Sequence, residues 1–204
     1  QGYSSAASDV YKRQTLDSII WMAEGRKYEE VVLMTASLAR LLRQSISNED
    51  EVVPLAREVE YAKGYLTIQK MRYKDKLEFE IDVEPSILNI PLIKLVLQPI
   101  IENAIYHGLK YKESKGLLQV KGFMKDGNAV LQVIDNGVGM DEETLSHIYD
   151  KHKVNYHSNG VGVYNVQKRL KLYYGENYGI TYESEKGVGT TATIIIPGIQ
   201  EESI

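Results

Sequence analysis

The chain has 204 residues, and its 24 Lys plus Arg against 28 Asp plus Glu leave a net charge of −4, without the cationic surplus that phosphate-backbone binding requires, so nucleic acid is excluded as the expected partner. It has no cysteine, which excludes disulfides, thiolate zinc sites and a cysteine nucleophile. Apolar residues at 43% and charged residues at 25% are those of a folded globular chain. No run reaches the ~18 apolar residues of a membrane span and no signal pattern opens the sequence, so the chain reads as cytoplasmic in character.

Residues 1–14, QGYSSAASDVYKRQ, are small and polar without an apolar period and predict a floppy leader. Leu16, Ile19, Ile20 and Met22, then Val31, Met34, Leu38, Leu41, Leu42 and Ile46, recur at steps of three and four on either side of Gly25. This spacing predicts two helices, at about 15–24 and 27–46. A polar linker follows, and Pro54 is suited to the first turn of a third helix reaching about Tyr73. LEFEIDV at 77–83 alternates apolar with acidic residues and predicts a strand with one wet face. Residues 92–108 predict a helix distorted at Pro99 and closed at Gly108. Strands at 117–125 and 129–135 should form a hairpin across Asp126-Gly127-Asn128. A short helix near 141–149, a polar stretch to Asn159, a helix to Gly175 and strands near 179–185 and 190–196 complete the pattern. Mixed strands and long helices in this order predict an α+β fold, a two-layer α/β sandwich over a largely antiparallel sheet.

Four segments carry residue types suited to a nucleotide site: ENAIYHG at 102–108, DNGVGM at 135–140, NGVGVYN at 159–165 and GVGTT at 187–191. Asn103 offers a neutral oxygen of the kind that holds Mg²⁺ while the metal keeps waters and phosphate oxygens, and His107, four residues on, shares its helix face. Asp135 can accept a hydrogen bond from an exocyclic amine such as that of adenine. Gly137 and Gly139 let a base approach the backbone. Gly160 and Gly162 precede a helix, whose first N–H groups can receive a phosphate.

In their order these segments resemble the asparagine and glycine boxes of the GHKL (Bergerat-type) ATP-binding fold. QPIIENAIYHG, with PLAREVEYAKGYLTIQKMRY at 54–73 and GVGVYNVQKRLKLYYG at 160–175, resembles the LytS/YesM-like branch of two-component sensor histidine kinases over nearly all of 15–197. The resemblance implies ATP and Mg²⁺ as cofactors, with Asn103 as metal ligand and Tyr106 or His107 approaching the phosphates. It implies that Asp135 reads the adenine amine in a pocket shaped by Gly137 and Gly139. Gly160, Val161 and Gly162 should give backbone N–H groups to the phosphates, and Thr190 should support the Asp135 and adenine network. Arg169 either reaches a phosphate or is a solvated ion-pair member. It further implies a catalytic domain over 52–200, a partial dimerisation region over 15–49 that makes a homodimer through 15–46, and a response regulator receiver domain as partner. In the intact protein it implies a membrane-spanning sensor upstream.

Two departures shape the expected activity. Hydrolysing relatives and serine kinases of the GHKL fold carry a glutamate four residues before the box asparagine, where this chain has Pro99. Glu102, about 100° round the helix from Asn103, is poorly placed to replace it. The phosphoaccepting histidine of the branch lies directly before Thr-Leu. Here Thr15-Leu16 follows VYKRQ, and the first histidine is His107. The expectation is a kinase portion that binds Mg-ATP without a histidine of its own to phosphorylate, residues 1–14 being a foreign or mis-joined end. The alternatives are a GHKL ATPase or serine kinase, and a non-catalytic helical interaction module. His147, His152 and His157 read as solvated residues of a lid rather than as a metal site.

Overall fold

The computed structural model describes residues 3–46, 51–148 and 160–198. Helix α1 (Tyr3–Glu24) turns at Gly25 into α2 (Tyr28–Ile46). The helix therefore begins at Tyr3, and the stretch 1–14 expected as a floppy leader is helical from that residue. No glycine or proline interrupts 3–24, so a helix nucleated by the packed turns around Met22 can extend through polar residues.

After β1 (Val52–Pro54), helix α3 (Leu55–Tyr73) buries Leu55, Ala62, Tyr65, Leu66 and Ile68. Strand β2 (Leu77–Val83) follows. The helix expected over 92–108 is divided: β3 (Pro91–Ile93) pairs antiparallel with β1, α4 runs Leu97–Asn103, and a π-helical turn covers Ala104–Leu109. Leu92 and Ile93 keep their burial as strand residues. Pro99 causes no break because it lies in the first turn of α4, where its missing N–H has no partner to lose. The distortion sits instead in the wider π turn, a form found often at functional sites.

Strands β4 (Gly116–Lys125) and β5 (Asn128–Asp135) form the expected hairpin. Asp126 and Gly127 both take positive φ, 51° and 76°, as the tight turn requires. The short α5 (Glu142–Ser146) is capped by Asp141, whose Oδ1 accepts the Thr144 N–H at 3.0 Å. Helix α6 (Gly160–Tyr174), β6 (Gly179–Glu185) and β7 (Gly189–Pro197) close the chain.

The main sheet has the order β2-β4-β5-β7-β6, with β2 parallel to β4 and every other pair antiparallel. Its inner face, including Leu118, Val120, Leu131, Val133, Ala192 and Ile194, packs on α3, α4 and α6 in one core. Met22, Met34 and Leu38 of the helical hairpin join that core, since α2 lies along α3. Among the described residues no helix is long and apolar enough to cross a membrane.

Candidate functional site

Leu95 takes a positive φ of 59° just before α4, a conformation disfavoured for a branched side chain. The backbone is held there by Glu58 of α3. Its Oε1 accepts the Leu95 N–H at 2.8 Å, and its Oε2 accepts those of Val96 at 2.9 Å and Leu97 at 3.1 Å. The first donors of α4, which no intrahelical carbonyl can satisfy, are thus capped by a carboxylate from another helix. Burial pushes the Glu58 pKa up, against the three N–H groups and the Arg169 charge. Tyr174 of α6 fixes the neighbouring strand: its hydroxyl accepts the Ile93 N–H at 3.2 Å and donates to the Pro91 carbonyl at 3.1 Å.

Held in this way, α4 and its π turn form one wall of a cavity of about 560 Å³. Ile100, Asn103, Ala104, His107 and Gly108 supply that wall. Val133, Asp135, Ala192, Thr190 and Tyr182 form the sheet side, and Gly139, Met140, Glu143, Thr144, His147 and Ile148 the third side. Much of the lining is apolar, with a few convergent polar groups, the usual make-up of a small-molecule site.

The Oδ1 of Asn103 is buried and has no hydrogen-bond partner among the described residues. Such an orphaned acceptor is costly unless a ligand completes it. Asp135 ends β5 at 6% exposure, and its Oδ1 accepts the Gly137 N–H at 2.8 Å. Burial pushes its pKa up to about 6, opposed by the Gly137 and Thr190 backbone N–H groups and the Lys112 charge. Partial burial and then the Lys110 charge lower the His107 pKa, which favours the neutral imidazole at the cavity wall.

The glycines act by close approach. A Cβ at Gly108 would lie 2.7 Å from Asp135 Oδ1, and one at Gly137 would lie 2.5 Å from the Gly108 carbonyl oxygen. The helix and the loop thus meet backbone to backbone, sealed by a Val138 N–H to Gly108 carbonyl bond of 3.1 Å. Gly139, at a φ of 62°, lies directly against the Glu185 carbonyl.

Of the residues singled out from sequence, Asn103, His107, Asp135, Gly139 and Thr190 meet around the cavity. Gly137 lies behind its wall. Tyr106 is not part of the lining, and it adds to the rise that burial gives the Tyr73 pKa, against the Arg72 charge. Arg169 acts on Glu58 and Tyr174, where burial raises both pKa values and its charge opposes the rise, and it is not part of the cavity lining. Gly160, Val161 and Gly162 open α6, where a Cβ at Gly162 would stand 3.3 Å from Pro99 Cβ, so this helix end abuts α4. His152 and His157 lie outside the described residues, while His147 lines the cavity. No cluster of metal-binding side chains occurs among the described residues.

Sequence reasoning missed Glu58, Tyr174 and the α5 lining residues Glu143 and Thr144. The only trace of Glu58 was an acidic residue on an otherwise buried helix face.

Residues 89–200 match the family of histidine kinase-, DNA gyrase B- and HSP90-like ATPases, and residues 13–77 match the histidine kinase family. The chain is 32% identical over 183 residues to the sensor histidine kinase YesM of Bacillus subtilis, covering 90% of this chain and 30% of that protein. It is 34% identical over 143 residues to the sensor protein LytS of Oceanobacillus iheyensis, covering 69% and 24%. The chain therefore spans less than a third of the length of either relative. In fold it is similar to the histidine kinase domain of a blue-light activated histidine kinase from Erythrobacter litoralis, with a TM-score of 0.54 and 14% identity over 91% of this chain and 94% of that one.

Proposed function

Because the chain belongs to the family of histidine kinase-, DNA gyrase B- and HSP90-like ATPases, we propose that its cavity binds ATP with Mg²⁺ as the catalytic portion of a two-component sensor histidine kinase. The observation that carries this reading is the pairing of a buried, unpartnered Asn103 oxygen with a buried Asp135 carboxylate on the opposite wall. One is suited to a hard cation, the other to an amine donor.

The Asn103 Oδ1 is the ligand that would hold Mg²⁺. Held there, Mg²⁺ would supply charge neutralisation for the nucleotide phosphates. The chain's own residues position the nucleotide. Asp135, ionised above its raised pKa, accepts from the adenine amine, and the apolar lining of Ile100, Val133, Met140 and Ala192 excludes water from the base. The N–H groups at Gly160, Val161 and Gly162 are suited to the phosphates. Four residues before Asn103, Pro99 packs near Gly162 and has no basic group with which to take a proton. Glu102 is not in the cavity lining, and its Oε1 accepts from Gln98 Nε2 at 2.8 Å. This arrangement favours transfer to an acceptor brought from outside over hydrolysis by a resident base.

In the intact protein the acceptor is a histidine, from which the phosphoryl group passes to an aspartate of a response regulator receiver domain. The chain has only four histidines, all from His107 onward, so it does not phosphorylate a helix histidine of its own. It pairs with a second copy through the outer face of the helical hairpin, where Leu16, Ile20, Val32 and Leu33 are 50–67% exposed. Titration calorimetry with ATP, with and without Mg²⁺, tests the reading. Saturable binding that Mg²⁺ strengthens is expected, and no binding to the folded chain would overturn it.

A further inference from the structure

Asp135, Thr190 and Ser184 sit side by side on three neighbouring strands: Asp135 is the cross-strand partner of Thr190, and Thr190 that of Ser184. Two residues back along the sheet, Val133, Ala192 and Tyr182 form a parallel row that lines the cavity. Asp135 and Thr190 line it too. Ser184 stands at the outer end of its row and makes three contacts. Its Oγ lies 2.9 Å from the Gly189 carbonyl, 2.9 Å from the Met140 N–H and 2.8 Å from Thr190 Oγ1.

One arrangement of protons satisfies all three contacts at once. A serine hydroxyl has one hydrogen and two lone pairs. The Gly189 carbonyl can only accept, so Ser184 donates to it. The Met140 N–H can only donate, so it takes one lone pair of Ser184. The remaining lone pair faces Thr190, which must therefore donate its single hydroxyl proton to Ser184. The lone pairs of Thr190 are all that its oxygen can still offer to a ligand. Beside it, the ionised Asp135 also offers only acceptors, its carboxylate already taking the backbone N–H groups of Gly137 and Thr190 and keeping lone pairs to spare. The row thus presents two adjacent acceptors.

We infer that Ser184 is a positioning residue that locks the Thr190 hydroxyl as an acceptor, so that this end of the cavity selects a purine bearing an exocyclic amine and rejects one bearing a carbonyl at the same place. The inference rests on the nucleotide reading above. An amine with two N–H groups satisfies both acceptors, whereas a carbonyl oxygen meets two lone-pair surfaces and leaves buried polar groups unpaired. That mismatch is the kind that gives strong discrimination. Without the Ser184 oxygen, Thr190 is free to rotate and donate to a carbonyl.

The test compares Mg-ATP with Mg-inosine triphosphate, which carries a carbonyl in place of the amine, by titration calorimetry on the whole chain. The wild-type chain should favour ATP by more than tenfold. In Ser184→Ala the ratio of the two dissociation constants should fall about tenfold, chiefly because inosine triphosphate binds more tightly, and Ser184→Thr should restore it. A role confined to bracing Met140 would weaken both nucleotides together and leave the ratio unchanged, and that result overturns the inference. Should Ser184→Ala lose its native circular dichroism, Ser184→Cys, whose thiol is a weak hydrogen-bonding group, is read in the same way. A wild-type chain that binds ATP without preference over inosine triphosphate overturns the assignment of Ser184 alone. One that binds neither overturns the nucleotide reading with it.

Discussion

Glu58 Oε2 accepts the N–H of Leu97, the first residue of α4, at 3.1 Å, although the two residues are separated by most of α3, β2 and β3. The bond places the start of the asparagine-bearing helix, and with it the cavity wall. Glu58→Ala leaves three backbone N–H groups near the Leu95 bend without an acceptor. A loss of about 3 kcal/mol or more of unfolding free energy is expected, at about 1–3 kcal/mol for each unmet buried group. Urea denaturation followed by circular dichroism checks it. Glu58→Gln should lose less, since its amide oxygen still accepts part of the set.

Gly139→Ala should separate local geometry from general tolerance. The new Cβ would meet the Glu185 carbonyl at a φ of 62°. The expected cost is roughly 2–4 kcal/mol, with more than a tenfold loss of ATP affinity. Gly127→Ala, at a φ of 76° with nothing within 4 Å of its Cβ position, should cost only about 1 kcal/mol and leave binding unchanged. Thermal melts and calorimetry on the pair decide between them.

Asp135 links pH to both stability and binding. Its folded pKa of about 6 exceeds the ordinary 3.8, so between these values the folded chain holds more proton than the unfolded one. Its contribution is therefore fully present below about pH 4 and is lost as pH rises through 6. The loss is roughly 3 kcal/mol, at about 1.4 kcal/mol per pKa unit. ATP affinity should move the opposite way, rising between pH 5 and 7 as the acceptor ionises. Asp135→Asn should flatten the stability profile and abolish ATP binding, as followed by melts and titrations across this range.

Asn103→Ala removes the orphaned oxygen. The Mg²⁺-dependent part of ATP binding should vanish, a loss of at least tenfold, while the metal-free affinity stays near wild type. Stability should hold or rise by up to about 1 kcal/mol, because an unsatisfied buried acceptor is gone. Paired titrations with and without Mg²⁺, and a urea curve, measure the two effects.

The hairpin surface predicts assembly. Ile20→Asp combined with Val32→Asp places charges on exposed apolar positions, 57% and 67% accessible, and should convert a dimer to a monomer without changing the melting temperature of the sandwich. Light scattering at high protein concentration reads the outcome.

Much of this molecule was legible in the chain. The alternation of LEFEIDV, the three-and-four spacing from Val31 to Leu42 and the Asp126-Gly127-Asn128 turn each appear in the structure within a residue or two of their expected limits. Asn103, His107, Asp135, Gly139 and Thr190 were singled out because their segments stand in a recognisable order, and all five border one cavity. The helix expected over 92–108 failed at its start, because the apolar spacing of Leu92, Leu95 and Val96 suits a buried strand and a bend as well as a helix turn. Arg169 was open to two readings for a related reason: a helix position says nothing of which remote carboxylate its charge will meet.

Local order came from the sequence by itself: which segments are helix or strand, where turns fall, and which residue types are available for a nucleotide. Those features depend on neighbours within a few positions, whose φ preferences and side-chain periodicity are written in the chain. Only the tertiary structure decided that Glu58 starts α4, that Tyr174 holds β3, and that Asp135, Thr190 and Ser184 share one row. These depend on strand register and on burial, which are set when residues remote in sequence pack together and each buried polar group must find a partner.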